Sequence, residues 1–569
     1  MIQVFAKEDA LYVKTDGYDP VFVQKVKAIP GRSYTGRETK LWRVPHSQVD
    51  TLLAVFPNAW LDDSVSNLHK KERLRDEIKK LGDAEQPLDV VRTLRPFQRV
   101  GVAWLRTIDC ALLKDDPGLG KSCQSIAWAN QHLPCLIVCP ATMKWKYAEE
   151  IEETVGDSSV AVVEGRSGDF PPESTKWVVI NWDIIGHPNR RETLDDAEEL
   201  RTRLNQILAF GFHSVIFSEA HLAKSAEKSL RGDSALTIAE HTPRRLCETA
   251  TPSPNRTEEL STILRLLGKL PKEKVWAWKL RYCEGHQIVV NRRGKRVWDF
   301  SGSSNTEELA RMIEPFTLGR KRVDVLKELP PVEENPVIIE ITNREEYENH
   351  ELQVRFFLSE ASREDQKNTK EGEKEAMRLR GKALGWAAKL SLTAAMGKVD
   401  AVAEMARPYL LARRKLIVFC EYLEPLQALH RTFGEESILL TGALADSEER
   451  SQAVETFQKD PSVLVALCSR RAFGASVTLT AADTEIFMTL PPTPTEYIQA
   501  RDRFNRIGQT SNRLQAFWMI GRRTHDAAIL NIIWPKAGVI WKLYNDPEMK
   551  EYAERFRETV NLLAKSKAA

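Results

Sequence analysis

One short loop in the sequence has the residue types needed to hold the phosphates of a nucleoside triphosphate. It reads DDPGLGKS, follows the apolar residues 111–113 and precedes a segment typical of a helix. In such a loop backbone N–H groups converge on the β and γ phosphates, Lys121 adds a positive charge, and the Ser122 hydroxyl joins the Mg²⁺ shell. The match to the phosphate-loop pattern is incomplete, because Asp115 replaces a glycine and Pro117 removes one N–H donor. Despite these departures we expect the loop to bind a nucleoside triphosphate with Mg²⁺. The expected contacts come from Asp115, Asp116, Pro117, Gly118, Leu119, Gly120, Lys121 and Ser122. A chance turn between a strand and a helix is the alternative.

Two further segments in the same half of the chain carry polar residues suited to this site. Gln98, within LRPFQRVGVAWL, is placed to hydrogen-bond the adenine edge. The apolar run 214–217 ends in Ser218 and Glu219, and a carboxylate at the carboxyl end of a parallel strand lies beside the nucleotide cleft. We expect Glu219 to orient the attacking water. The expected metal shell is Ser122, Glu219 and, as a weak ligand, Ser218.

The second half of the chain offers positive groups for the same site. The sequence TPTE, from Thr493 to Glu496, predicts a helix N-terminus with proline at the first helical position. On that helix Gln499, Arg503 and Arg506 are spaced i, i+4 and i+7, so they would share one face. We expect Gln499 to contact the nucleotide and the two arginines to act as arginine fingers when two lobes close. An ordinary surface helix that carries arginines is the alternative.

Strand-like segments that alternate with helical ones must position these groups. Short apolar runs lie at residues 110–113, 136–139, 177–181, 214–217 and 245–249, and again at 415–419, 437–440, 463–468, 485–490 and 514–520. This alternation predicts an α/β fold with two parallel sheets in tandem and a cleft between them. The domains we expect are a small α+β module at 1–62, a helical linker at 63–90, a first lobe at 91–332 with a basic hairpin insert at 281–305, a helical connector at 333–398, a second lobe at 399–546 and a solvated helical tail at 547–569.

Taken in order, these segments resemble the SNF2 family of helicase-like DNA translocases. The matching stretches are LRPFQRVGVAWL, DDPGLGKS, LIVCPATMKWK, SEAH, TATPSPNRTEEL, RKRVDVLKELPP, KLIVFCEY and QARDRFNRIGQ. The resemblance covers about residues 90 to 540. It implies two RecA-like lobes with helical insertions, and ATP-dependent movement along double-stranded DNA.

A finer resemblance is to the HepA-related (HARP) annealing-helicase branch of that family. It rests on RYC followed by WDFSGSSN, and on YDPVFVQKVKAIP with KLWRVP near the N-terminus. This resemblance implies that residues 1–62 form a HARP-like module that directs the motor to DNA junctions, and that the work done is the remodelling or annealing of forked DNA. A general SNF2 remodeller that displaces proteins from DNA is the alternative.

Several positions depart from the motifs of the family. The second motif reads DEAH, and here Ser218 replaces the aspartate that helps to hold Mg²⁺, so we expect reduced turnover. Phe473 and Ser476 replace glycines of the fifth motif, and Phe504 and Asn505 depart from the sixth. A weakened or inactive ATPase that serves as a DNA-junction clamp is therefore a second alternative. Against it stands the retention of four catalytic candidates: Lys121, Glu219, Arg503 and Arg506.

Translocases of this type hold DNA phosphates without reading sequence. The candidates within matched motifs are Lys144, Trp145, Lys146, Thr251, Asn255, Arg256, Ser469, Arg470 and Arg471. Residues 288–300, IVVNRRGKRVWDF, predict a hairpin with a basic tip. We expect the tip residues Arg292, Arg293, Lys295 and Arg296 to contact DNA near a fork, and a solvated loop is the alternative.

Composition limits the class of protein. The 82 basic and 80 acidic residues nearly cancel, so any polyanion site must be local. The eight cysteines lack the paired spacing of zinc sites and predict buried thiols in a reducing compartment. We expect a monomer that binds duplex, forked or junction DNA and no membrane. Its expected location is intracellular: the cytoplasm or nucleoid of a prokaryote or phage host, or a eukaryotic nucleus.

Overall fold

The chain forms a small N-terminal unit and two α/β lobes. The computed structural model describes residues 2–7, 10–35, 41–45, 48–57, 59–61, 65, 89–165, 170–185, 203–223, 229–253, 256–289, 296–441, 447–469, 477–506, 508–544 and 547–568. Within these ranges no helix has the length and apolarity needed to cross a bilayer.

The N-terminal unit is a five-stranded sheet with two helices. Its strands are β1 (Ile2–Lys7), β2 (Ala10–Thr15), β3 (Ser33–Tyr34), β4 (Trp42–Val44) and β5 (Trp60–Leu61), in the order β3-β4-β2-β1-β5. Helices α1 (Pro20–Lys27) and α2 (Val49–Val55) bury Phe22 and Leu52 in the core of the unit. Asp19 caps α1, because its carboxylate accepts a hydrogen bond from the backbone N–H of Val21 at 2.9 Å. The predicted α+β character is confirmed.

The first lobe contains a seven-stranded parallel sheet. Its strands, with those of its insert, are β6 (Cys110–Leu113), β7 (Cys135–Cys139), β8 (Val160–Val162), β9 (Trp177–Asn181), β10 (Ser214–Ser218), β11 (Arg244–Glu248), β12 (His286–Val289), β13 (Arg296–Asp299) and β14 (Thr317–Leu318). The sheet order is β14-β6-β11-β10-β7-β9-β8. Apolar clusters cover both faces, as expected for a parallel sheet, which explains why its central strands are continuous apolar runs.

Helices connect these strands and lie on both faces of the sheet. They are α3 (Pro96–Leu105), α4 (Lys121–Ala129), α5 (Lys144–Val155), α6 (Trp182–Ile185), α7 (Leu230–His241), α8 (Glu258–Leu266), α9 (Val275–Tyr282), α10 (Thr306–Ile313) and α11 (Arg322–Val325). The five strands predicted for this half of the chain are all present, with ends within one residue of prediction. The short strands β8 and β14 were not predicted.

The two strands predicted for the hairpin insert are present. Strands β12 and β13 pair antiparallel, with Ile288 opposite Val297. Trp276 of α9 packs edge-on against Trp298, with ring centroids 5.3 Å apart, so the hairpin is held against the helix that precedes it. The tip residues Arg292, Arg293 and Lys295 lie outside the described residues.

The segment between the lobes differs from prediction at its start. The helical connector was expected to begin at residue 333, but β15 (Val332–Ile339) is a strand that pairs along its whole length with β20 (Leu514–Gly521) of the second lobe. Two long helices follow, α12 (Arg344–Gln366) and α13 (Lys370–Met396). They pack on each other through small and apolar residues such as Ala361 and Ala376.

The second lobe is a six-stranded parallel sheet in the order β15-β20-β19-β16-β18-β17. Its remaining strands are β16 (Leu416–Cys420), β17 (Ser437–Leu440), β18 (Val465–Ser469) and β19 (Thr484–Phe487). Its helices are α14 (Val399–Leu411), α15 (Leu423–Phe433), α16 (Ser447–Lys459), α17 (Pro494–Arg501), α18 (Asp526–Tyr544) and α19 (Pro547–Ala568). Apolar clusters again cover both faces, and the predicted architecture of two parallel-sheet lobes is confirmed.

The C-terminal helix is part of the second lobe. We expected a solvated tail, yet α19 buries Tyr552 and Phe556 against Tyr497 and Trp518. The apolar residues recur at positions 549, 552 and 556, which gives one apolar face on an otherwise charged helix.

Candidate functional site

The predicted phosphate loop connects the buried strand β6 to helix α4. Two glycines shape it, Gly118 with φ of 83° and Gly120 with φ of 71°, a backbone region that residues with a Cβ atom rarely adopt. Gly120 directly precedes α4, so the N-terminus of that helix opens onto the loop. A Cβ atom at Gly120 would also lie 2.5 Å from Nε2 of Gln98. The loop therefore has the backbone form and helix-dipole orientation that favour phosphate.

The first two residues of the loop are anchored by a basic segment that follows β14. Arg320 donates from Nε to Oδ1 of Asp115 at 3.0 Å, and Lys321 donates to Oδ1 of Asp116 at 3.0 Å. The Asp115 side chain is fully buried and also accepts from Nε2 of Gln124 at 3.1 Å. Asp115 and Asp116 thus use their carboxylates to fix the loop, and any contact they make with a nucleotide would come from the backbone.

The polar side chains around the loop already contact it. Lys121 directs its ammonium group to the carbonyl of Asp115 at 2.9 Å. Gln98 donates to the carbonyl of Leu119 at 3.1 Å and accepts from the backbone N–H of Arg95 at 2.9 Å. The predicted role of Gln98 at adenine stays a prediction, and its observed role is to join α3 to the loop.

Strand β10 ends at Ser218, and Glu219 follows it directly. Glu219 has φ of 50°, a left-handed conformation that costs a residue with a side chain free energy. Its Oε2 lies 3.3 Å from Nδ1 of His221. Burial alone would raise the pKa of Glu219, but His221 and Lys121 outweigh it and lower that pKa to about 2. Glu219 is therefore held as a carboxylate.

A second buried carboxyl group, which the sequence reasoning missed, lies next to Ser218. Glu248 ends β11, and its Cα is the register partner of Ser218. The Ser125 hydroxyl donates to its Oε2 at 2.6 Å, and the Tyr147 hydroxyl donates to its Oε1. Burial raises the pKa of Glu248 to about 7, although the Ser125 hydrogen bond and the Lys121 charge both act to lower it. The signal was the one used for Glu219, a carboxyl group at the end of an apolar strand.

The second lobe brings its arginines to the site, but not on a helix. Thr493 caps α17 as predicted, accepting from the backbone N–H of Glu496 at 3.2 Å. The helix then ends at Arg501, so the prediction that Gln499, Arg503 and Arg506 share one helical face is wrong. Gln499 lies on the helix, half-buried, whereas the two arginines follow in a turn.

The turn nevertheless faces the phosphate loop. A Cβ atom at Gly118 would lie 3.7 Å from Cγ of Arg506. Arg506 is held by its own chain, donating from Nε to the carbonyl of Asp502 at 2.8 Å. Burial and the neighbouring charge of Arg506 lower the pKa of Arg503 to about 9, while Asp502 and Glu219 act in the opposite sense. The Arg506 side chain of the second lobe thus lies beside the phosphate loop, and the charge of Arg503 interacts with that of Glu219 in the first lobe.

The oxygen donors at the site fit Mg²⁺ bound together with a nucleotide. The Ser122 hydroxyl, Glu219 and Glu248 supply only hard oxygen ligands. No group of three or more His, Cys, Asp or Glu able to hold a metal occurs in the described ranges. Mg²⁺ suits such a site, because it takes one or two carboxylates and completes its shell with phosphate oxygens and water.

The predicted DNA contacts divide into three sets. Trp145, Lys146, Arg256 and Arg296 are exposed. Thr251 and Ser469 are buried, and Lys144 donates to the carbonyl of Val163 at 2.9 Å. Six more candidates lie outside the described residues: Asn255, Arg292, Arg293, Lys295, Arg470 and Arg471. Nothing in the geometry assigns DNA to any of them.

The chain matches known families and proteins along most of its length. The SNF2-related domain matches residues 97–384 and the helicase conserved C-terminal domain matches residues 397–508. The Mus musculus protein "DNA annealing helicase and endonuclease ZRANB3" is 30% identical over 81% of this chain and 42% of its own length. The Xenopus tropicalis "SWI/SNF-related matrix-associated actin-dependent regulator of chromatin subfamily A-like protein 1" is 26% identical over 84% of this chain and 48% of its own length. The chain therefore spans less than half the length of these relatives. A solved structure, "Sulfolobus solfataricus SWI2/SNF2 ATPase core in complex with dsDNA", is 20% identical, covering 84% of this chain and 98% of that one with a TM-score of 0.36.

Proposed function

Because the chain belongs to the SNF2-related domain family, we propose that it is an ATP-dependent translocase on double-stranded DNA that remodels or anneals forked DNA. The observation that carries this proposal is the meeting of the lobes at the phosphate loop, with Arg506 of the second lobe beside Gly118 of the first. A site assembled from two lobes is complete only when they are closed, which lets nucleotide turnover drive lobe movement.

Each polar group at the site has a proposed role in hydrolysis of the γ-phosphate. Lys121 leaves the loop carbonyls and pairs with the phosphates, and Glu219, held as a carboxylate, orients the attacking water. Arg503 and Arg506 stabilise the negative charge that develops on the transferred phosphoryl group. Mg²⁺ would be held by Ser122 with carboxylate oxygens and would neutralise phosphate charge.

Movement along DNA requires that both lobes hold the phosphate backbone. In the first lobe, exposed Trp145, Lys146 and Arg256 are the proposed contacts. In the second lobe, Ser469 ends β18, and the proposed contacts Arg470 and Arg471 follow it in sequence. Contacts of this type give affinity without sequence readout, as a translocase needs.

The N-terminal unit and the hairpin insert of the first lobe are proposed to direct the motor to particular DNA structures. Residues 1–62 would form the HARP-like module that directs the motor to junctions, and the hairpin of β12 and β13 would contact DNA near a fork. Arg296, exposed at the start of β13, supports that role for the hairpin. Neither unit contributes a side chain to the nucleotide site among the described contacts, so both are separable from turnover.

ATP turnover with blunt duplex, single-stranded and forked DNA tests the proposal. We expect duplex and forked DNA to stimulate hydrolysis, with Lys121→Ala as the inactive control. Turnover that no DNA raises above the Lys121→Ala level would instead favour a DNA-junction clamp. The neutral Ser218 hydroxyl, which lies 2.8 Å from the Tyr147 hydroxyl, is the observation that favours that second function.

Deletion of residues 1–62 separates targeting from turnover. We expect the shortened chain to keep duplex-stimulated hydrolysis and to lose its preference for forked over blunt DNA. An unchanged preference would favour the alternative of a general remodeller that displaces proteins from DNA.

A further inference from the structure

Glu248 and Ser218 form a pair at the ends of two adjacent parallel strands. They are register partners, so their side chains leave the sheet on the same face. The Tyr147 hydroxyl of α5 contacts both side chains, lying 2.8 Å from the Ser218 hydroxyl and donating to Oε1 of Glu248. A carboxyl group thus stands one strand away from Ser218, joined to it through one tyrosine.

The other oxygen of Glu248 is held from the helix that follows the phosphate loop. Ser125 of α4 donates to Oε2 at 2.6 Å. Ser125 is three residues after Ser122, so the two hydroxyls lie on one side of the helix. The positive charge that acts on Glu248 is that of Lys121. Both oxygens are therefore held by neutral hydroxyls, Oε1 by Tyr147 of α5 and Oε2 by Ser125 on the side of α4 that also carries Ser122.

A buried carboxylate in this position has a physical cost that a bound cation would offset. Glu248 is 2% exposed, and hydroxyl donors alone compensate only part of the loss of hydration. A phosphate-bound Mg²⁺ is a hard cation that seeks one or two carboxylate oxygens, and the Ser218 hydroxyl is a weak ligand for it. Glu248 thus offers, at the end of β11, the carboxylate that Ser218 does not offer at the end of β10.

We propose that Glu248 is the metal-positioning carboxylate of this chain, ordering the Mg²⁺ and its water beside the phosphates of ATP. Tyr147 of α5 holds it in place and links it to Ser218 on the neighbouring strand. This inference rests on the proposed ATP site, and it changes the meaning of Ser218. A carboxylate at 218 would stand beside that of Glu248, where like charges repel, so the short neutral side chain is the compatible partner.

The test measures the gain in nucleotide affinity that Mg²⁺ gives, using a fluorescent ATP analogue and the full chain. We expect the wild type to bind the analogue more tightly with Mg²⁺ than without it. Glu248→Gln should lose about tenfold or more of that gain, the usual effect of removing a group that orients a metal. The double variant Ser218→Asp with Glu248→Gln should recover it, because the charge returns on the adjacent strand.

A matched control removes another lobe 1 carboxylate. Glu258 pairs with Lys279 at 3.0 Å and has no proposed role at the phosphate loop. Glu258→Gln breaks this ion pair and should keep the full gain in nucleotide affinity that Mg²⁺ gives. Mn²⁺ in place of Mg²⁺ gives a second readout, since the loss of its sharp free-ion electron paramagnetic resonance signal reports the fraction of metal that is bound. We expect the bound Mn²⁺ fraction to fall in Glu248→Gln and to return in the double variant.

Four outcomes would overturn the inference. A folded Glu248→Gln with the wild-type Mg²⁺ gain would do so, as would a folded double variant that recovers nothing, since Glu248 would then be structural. If Glu248→Gln does not fold, Tyr147→Phe, which keeps the carboxylate but removes one donor, must lower the gain by at least about threefold. Wild-type protein that binds the analogue no better than Lys121→Ala would overturn the proposed function as well, which separates the two failures.

Discussion

The guanidinium of Arg322 donates to Oδ1 of Asp502 at 2.6 Å and so joins the first lobe to the second. Both side chains are buried. The backbone N–H of Arg322 donates to Oδ2 of Asp116 at 3.0 Å, and its Nη1 donates to the carbonyl of Asn505 at 2.7 Å. One residue therefore contacts both the phosphate loop and the turn that carries Arg503 and Arg506, which gives a direct physical route between the nucleotide site and lobe closure.

Replacing Arg322 by alanine should weaken this closure. Burial alone would raise the pKa of Asp502, but the charges of Arg322 and Arg501 lower it, so the carboxylate needs both partners. Breaking a buried ion pair typically costs about 3 to 5 kcal/mol. We expect the free energy that favours lobe closure to fall by a comparable amount. The lobes should then lie farther apart, which the distance between fluorophores placed on the two lobes measures.

Arg513→Ala is the matched control for the closure experiment. Arg513 pairs with Glu333 at 2.7 Å on an exposed surface of the second lobe. Exposed pairs contribute about 0 to 1 kcal/mol, so this variant should leave the interlobe distance unchanged. If Arg322→Ala altered closure no more than Arg513→Ala, the proposed route would be refuted.

Arg506 should be needed for turnover much more than for nucleotide binding. Its guanidinium comes from the second lobe, whereas the loop and Lys121 belong to the first. Loss of an arginine finger lowers turnover by about 10³-fold or more. We expect Arg506→Ala to show this loss of DNA-stimulated ATPase rate while binding a fluorescent ATP analogue within about threefold of the wild type. A turnover rate close to that of Arg513→Ala would contradict the assignment.

The sequence predicted the elements whose signals are local. The ten strands predicted for the lobes, the cap at Thr493 and the hairpin at 288–300 all follow from apolar runs and turn residues within a few positions. The phosphate loop was equally local, since β6, the glycines and α4 are consecutive in the chain.

Elements decided by distant contacts were not predicted. Strand β15 contains the sequence EENP, which reads as a polar turn, yet it pairs with β20 from the far end of the lobe. Helix α17 ends early because Asp502 turns to accept from Arg322, 180 residues away in sequence. Glu248 has the same local signal as Glu219, but the hydrogen bonds that hold it come from Tyr147 and Ser125 on two helices distant in sequence.

Replacing Glu219 by glycine should lower turnover and should also relieve backbone strain. Its φ of 50° favours glycine, and a left-handed residue with a side chain costs about 1 to 2 kcal/mol. We expect the free energy of unfolding of Glu219→Gly to exceed that of Glu219→Ala by about 1 kcal/mol. Both variants lose the carboxylate, and only glycine relieves the backbone strain. Both variants should lose about 10²-fold or more of the ATPase rate.

Urea unfolding of these two variants, together with ATPase rates at saturating DNA, checks the relationship. Equal stabilities for Glu219→Gly and Glu219→Ala would mean that the backbone at this position is not strained. A variant that hydrolyses ATP at the wild-type rate would show that Glu219 has no role in hydrolysis.

Glu485 should make the second lobe less stable as the pH rises. It lies on β19, fully buried, and no described residue donates a hydrogen bond to either carboxyl oxygen. Burial raises its pKa well above the usual value, although the charge of Arg501 opposes the shift. The folded state therefore keeps a proton that the unfolded chain releases, so the free energy of unfolding falls as pH rises from the ordinary glutamic acid pKa towards the raised one.

Glu485→Gln removes this titration and keeps the shape of the side chain. We expect its thermal unfolding midpoint to match the wild type at about pH 4, where Glu485 is protonated in the folded chain and largely protonated in the unfolded chain, and to exceed it at about pH 8. Glu333→Gln, at an exposed position of the same lobe, should show no such difference between the two pH values. Thermal unfolding followed by circular dichroism measures both. A Glu485→Gln variant less stable than the wild type at the higher pH would show instead that the carboxylate is charged in the fold and stabilised there by Arg501.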